Sequence, residues 1–144
     1  MRHQSIKNEV SMKKVLFIIM MLFCLTVQAE AQKVSRAVHV RTTELGNQKM
    51  EYVNGEFVLI LKSGIKPIVV PLGNKENALR ILKFLRDTKF RSGDIVELEN
   101  EVGSVAKFNS LKQFEFYSDG RAYTGQIGQR YMKGYYEAVE KFQE

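Results

Sequence analysis

Residues 50–72 read MEYVNGEFVLILKSGIKPIVVPL, and the punctuation of this stretch decides the fold class. Asn54-Gly55 stands between two apolar runs. A two-residue hairpin needs positive φ at both central positions, which Asn and Gly tolerate, so the pair predicts a turn between antiparallel strands. Beyond it, Phe57, Leu59 and Leu61 fall on one face of a strand and Val58 and Ile60 on the other. A strand that is apolar on both faces belongs inside a sheet. Pro67 and Pro71 have no N–H for a ladder, which makes the following strand an edge.

Outward from this stretch, period-two alternation predicts strands at 35–44, 48–53, 56–62 and 65–72. Asn74 offers a side-chain cap, and Ala78, Ile81, Leu82 and Leu85 mark the buried face of a helix over 75–89. Gly93 closes the connection. A second series follows at Ile95–Glu99, Ser104–Asn109, Leu111–Tyr117 and Arg121–Ile127, the last two joined at Asp119-Gly120. It too ends in a helix, over 129–143, with Tyr131, Met132, Tyr135, Val139 and Phe142 at helical spacing. A two-residue turn at Asp119-Gly120 would pair Phe116 with Tyr123 and Tyr117 with Ala122. Phe114, Phe116, Tyr123 and Ile127 then face the core, and Glu115, Tyr117, Thr124 and Gln126 face outward.

The two series share their punctuation. Glu44-Leu45-Gly46 answers Glu101-Val102-Gly103, Phe57 answers Phe114, Gly64 answers Gly120 and Gly73 answers Gly128, at offsets of 57 to 55 residues. The expected fold is α+β: antiparallel sheets with two helices, built from two β4α repeats at 35–90 and 94–143 related by a pseudo-twofold, each too small to bury its sheet alone. At the level of topology this arrangement resembles the whirly and PUR-type nucleic-acid-binding folds. No motif of those families matches residue by residue, so the resemblance is one of fold and carries no function.

The other end of the chain bears on where the protein works. From Met12 the sequence runs Lys13-Lys14, an uncharged apolar run of 13 residues from Val15 to Val27, and Ala29-Glu30-Ala31 before Gln32. A basic segment, a short apolar segment and a small-x-small site, in that order, make a secretory signal peptide. The run is too short for a spanning helix, which needs about 20 residues. Residues 1–31 are thus expected to be a signal peptide, with Met12 as the true start, and 32–144 to be a single mature domain. That domain would be periplasmic or extracellular after cleavage at Ala31/Gln32, without a membrane anchor. Phe23 before Cys24 is too bulky for a lipoprotein site.

Gln32 to Glu144 carries 18 Lys+Arg against 14 Asp+Glu, or +4, with both signs interleaved and no polybasic run. Such a balance neutralises few phosphates, and with export it argues against nucleic acid as a partner. Cys24, the single cysteine, leaves with the signal. Disulfides, thiol chemistry and cysteine-based zinc sites go with it. His39 is the one histidine left, set in a strand between Val38 and Val40. No metal site and no cofactor is expected, because phosphate-cradling glycine loops and nucleophile elbows are absent too.

Two groups of residues remain as candidate sites. Tyr117, Arg121, Arg130 and Tyr136 combine tyrosine with arginine, the composition of recognition patches. Glu97, Glu99 and Glu101 alternate along one predicted strand and would set three carboxylates on a single face, as paired acid–base work or a calcium ligand set requires. The function expected is a small exported, non-enzymatic binding or interaction module for a protein or envelope ligand. The alternatives are a small hydrolase using the acidic face and, behind it, a nucleic-acid-binding domain.

Overall fold

The computed structural model describes residues 35–62, 64, 66–117 and 124–144. Two antiparallel four-stranded sheets and two helices make up an α+β fold. The first sheet is a meander of β1 (Val38–Thr42), β2 (Gln48–Val53), β3 (Glu56–Leu61) and β4 (Ile68–Gly73), in that order. Asn54 and Gly55 both take positive φ, as their hairpin demands. β3 lies inside the sheet and the proline-bearing β4 at its edge. Phe57, Leu59 and Leu61 are buried, while Val58 and Ile60 on the opposite face are half-buried.

Helix α1 (Lys75–Asp87) starts where Asn74 accepts a hydrogen bond from the Asn77 amide at 2.9 Å, and it buries Ala78, Ile81, Leu82 and Leu85. The second sheet repeats the meander with β5 (Ile95–Glu97), β6 (Val105–Phe108), β7 (Gln113–Tyr117) and β8 (Thr124–Gly128). A single 3-10 turn at Gln129–Tyr131 leads into α2 (Met132–Lys141), which buries Met132, Tyr135 and Val139. Phe142, expected inside this helix, is its C-terminal cap, with extended backbone.

The halves interlock. α2, from the second half, lies on the first sheet: the Tyr135 hydroxyl donates to the Gln48 carbonyl, and Phe142 packs 4.8 Å from Tyr52 and 5.4 Å from Phe57, between ring centroids. α1 reaches the second half through Phe84, whose ring meets Phe90, which in turn packs on Phe108 and Phe114. Gln129 donates to the carbonyls of Leu85 and Thr88, serving acceptors at the C-terminus of α1 that the helix leaves unpaired. Arg36–Glu144 is one compact unit, and the core residues Met50 to Val139 all belong to it.

Three expectations need correction. The register between β7 and β8 is not the expected one: Tyr117 pairs with Thr124 and Phe116 with Gly125, where Ala122 and Tyr123 were expected. A shift of two residues keeps every side chain on its face, so alternation could not detect it. Phe114, Phe116 and Ile127 are buried as expected, whereas Asp119, Gly120, Arg121 and Tyr123 lie outside the described residues. Secondly, β7 begins at Gln113, so Leu111 sits in the turn before it. Thirdly, β5 stops at Glu97, which leaves Glu99 and Glu101 in the connection to β6. As for the paired landmarks, Gly46 and Gly103 both take positive φ, but Gly73 has φ 81° and Gly128 has φ −68°.

Candidate functional site

The three carboxylates of the acidic group do not meet. Glu99 is held by the Arg80 guanidinium of α1 at 2.6 Å, and Arg80 is tethered in turn by Asn77. Glu97 and Glu99 border a small pocket of about 230 Å³ between α1 and β5, lined also by Arg80, Ile81, Phe84 and Leu98. Glu101 instead faces Glu56 at the start of β3, and the hydrogen bond between their carboxyls raises the Glu56 pKa above its ordinary value. Among the described residues, no three His, Cys, Asp or Glu side chains gather where a metal ion could be held.

The tyrosine–arginine group is dispersed as well. Tyr117 ends β7, its hydroxyl 3.4 Å from Glu115. Tyr136 lies under Arg86, whose guanidinium carbon is 4.5 Å from the ring centroid. Arg86 also grips Asp87 through two hydrogen bonds of 2.7 and 2.9 Å, which hold the Asp87 carboxyl below the usual carboxylate range. Arg130 stacks on Tyr131 and donates to its hydroxyl at 2.7 Å. Arg121 lies outside the described residues.

Arg130 nevertheless belongs to a larger feature. An open cleft of about 750 Å³ runs between the β1–β2 turn of the first half and the β6–β7 turn, the end of β8 and the start of α2 of the second. Its cations are Arg86, Lys112, Arg130 and Lys133, and its carboxamides are Asn47, Gln48, Gln113, Gln126 and Gln129. Among the described residues no carboxylate lines it. A shallower depression lined by Lys62, Gly64 and Thr124 shares Asn47, Gln48, Gln113 and Gln126 with it, so the polar surface continues along β8. With Arg86 committed to Asp87, the cations Lys112, Arg130 and Lys133 have no acidic partner among the described residues.

The two turns that build the walls are fixed by side chains. Thr43 is buried; its hydroxyl accepts from the Gln48 amide and donates to the Gln48 side chain, and its backbone N–H and C=O bond Gln48 and Gly46. Across the cleft, Asn109 Oδ1 accepts from the amides of Leu111 and Gln113, and its Nδ2 donates to Gln113 and Glu115. Lys112 takes φ 58° to close that turn. Leu45 and Leu111 project from the two turns with 70% and 75% of their surface exposed. The Gln48 side chain joins the walls by donating to the Gln126 carbonyl.

Of these residues the sequence reading reached only Arg130. Asn109-Ser110 ahead of Leu111-Lys112 is turn chemistry, and an apolar residue placed in such a turn was the signal available for this wall. No family model, no curated protein and no solved structure matches the chain.

Proposed function

We propose that the protein is an exported, non-enzymatic binding module that recognises an anionic ligand in the cleft between its two halves. One observation carries the reading: three cations free of acidic partners among the described residues share one concave surface with five carboxamides and no carboxylate. A cleft of one sign of charge concentrates ligands of the other, and carboxamides supply both donors and acceptors to orient them. Glu97 and Glu99 border one small pocket while Glu101 pairs elsewhere with Glu56, and this failure of the three carboxylates to converge supports binding over hydrolysis. The order Lys13-Lys14, apolar run, Ala29-Glu30-Ala31 supports export.

Inorganic pyrophosphate, a compact soluble anion, is the probe for the cleft. Its titration followed by NMR should move the resonances of Lys112, Gln113, Gln126, Gln129 and Arg130 together and saturably. Shifts spread evenly over surface lysines, or none, overturn the reading. Export is read separately, by intact mass of the protein recovered outside the cytoplasm: a chain beginning at Gln32 is expected, and one retaining residues 12–31 contradicts it.

A further inference from the structure

The two most exposed large apolar side chains of the described residues, Leu111 and Leu45, stand on opposite walls of the same cation-lined cleft. A soluble anion would use the cations and leave both leucines in water. A bilayer interface uses both, because apolar tips enter the headgroup–acyl boundary while basic groups meet the phosphates. We propose that this edge docks on the surface of an anionic phospholipid bilayer, Leu45 and Leu111 inserting and Lys112, Arg130 and Lys133 binding headgroup phosphate in the cleft between them. The inference rests on the anion-binding reading of that cleft and adds the kind of ligand.

Two further features fit a docking edge. The leucine-bearing turns are locked by Thr43 and Asn109, so the tips are displayed in fixed positions and little ordering is needed on binding. The acidic groups Glu56 and Glu101 lie at the β2–β3 hairpin and the β5–β6 connection. Those are the ends of β2 and β6 remote from the turns that carry the leucines. Within the two leucine-bearing turns the one carboxylate is the exposed Glu44, set against Lys112 there and Arg130 and Lys133 in the cleft, so positive charge prevails at the apolar edge and would turn it toward an anionic surface.

Co-sedimentation with vesicles tests this, using Arg36–Glu144, which contains its own core, so that the apolar run at 15–27 does not confound the result. Binding is expected to vesicles of phosphatidylglycerol mixed with phosphatidylcholine, to weaken with salt, and to be absent from pure phosphatidylcholine. Lys112→Glu/Arg130→Glu/Lys133→Glu should reduce partitioning at least about a hundredfold, since each basic group near such a surface contributes roughly fivefold and the reversed charges add repulsion. Leu45→Ser/Leu111→Ser removes the insertion without touching charge or core, and should lower vesicle binding while leaving the pyrophosphate shifts intact. Vesicle binding that is indifferent to the leucine pair overturns the docking. Absence of vesicle binding with pyrophosphate shifts retained overturns the docking alone, and absence of both overturns the anion-binding reading with it. Self-association through the leucines, seen as a dimer that Leu45→Ser/Leu111→Ser dissolves, would assign the edge to a second copy instead.

Discussion

The Tyr135 hydroxyl, on a side chain only 1% exposed, donates across the two halves to the Gln48 carbonyl at 3.1 Å. That carbonyl also accepts from the Thr43 amide at 2.9 Å, so it keeps a partner when the phenol is removed. Tyr135→Phe should therefore cost only about 0.5–1.5 kcal/mol, whereas Tyr135→Ala, which opens a cavity between α2 and the first sheet, should cost at least about 3 kcal/mol. Burial also raises the Tyr135 phenol well above its ordinary pKa of 10.0. A raised folded-state pKa contributes stability below the unfolded value and loses it as pH rises beyond that value. Urea denaturation of the wild type should weaken from about pH 10 upward, and Tyr135→Phe should remove that part of the alkaline loss.

At Gly125 β8 comes close to β3 of the other sheet. A Cβ built there would lie 2.7 Å from Leu61 Cβ and 3.2 Å from its Cδ1. Gly125→Ala should overpack the seam and cost about 1–3 kcal/mol, measured by urea denaturation. The 2.7 Å neighbour is the Leu61 Cβ, which alanine keeps, so Leu61→Gly is the substitution that should relieve part of the loss, and the double variant should be more stable than the sum of the single effects predicts. Strict additivity would mean that the seam relaxes elsewhere.

That seam also shows where sequence reading ran out. The strand count, the internal position of β3, the proline edge and both helix faces were legible, because each follows from local periodicity, turn chemistry or a missing N–H. The register of β8 was not, since shifts by two residues leave the alternation unchanged. What selects Gly125 opposite Phe116 is a neighbour on the other sheet, Leu61, 64 positions away in the chain. The cleft was hidden for the same reason. Leu45, Lys112, Gln126 and Lys133 come from four separate segments that the docking of the halves brings together. Composition had pointed to tyrosine, yet Tyr131 is the only tyrosine among the described cleft residues. Strand order and the shared positive φ of Gly46 and Gly103 are consistent with the expected duplication but do not establish it, and the differing backbone of Gly73 and Gly128 speaks against it.

The interlocking predicts mutual dependence. A chain ending at Phe90 keeps the first sheet and α1 but loses α2, and with it the Tyr135 bond to Gln48 and the cover of Tyr52 and Phe57 by Phe142. Such a fragment of roughly 55 residues would bury too little surface to fold alone and should show no cooperative thermal transition. A cooperative melt from a monomeric fragment would mean that the halves are independent. In the intact unit, Leu82→Ala and Val139→Ala should destabilise a single shared transition, by about 2–5 kcal/mol for Leu82 and less for Val139. Two separable transitions would contradict a shared core.

The Glu56–Glu101 pair sets a second pH dependence, of opposite position on the scale. The Glu56 pKa is raised in the folded protein, through the hydrogen bond with Glu101 first and through burial and the neighbouring charge after it. The folded state thus binds the Glu56 proton more tightly than the unfolded chain does. The resulting stabilisation is complete below the ordinary glutamate range and is lost as pH rises through the raised value, where two like charges come to face each other across the halves. Both groups lie at the surface, so the effect is small and should shrink with added salt. Glu101→Gln keeps a hydrogen-bonding partner for Glu56 while removing the repulsion. Its melting temperature relative to the wild type should rise as pH goes from about 4 to about 7, in low salt. A difference that stays flat across that interval would show that the two carboxyls do not share a proton.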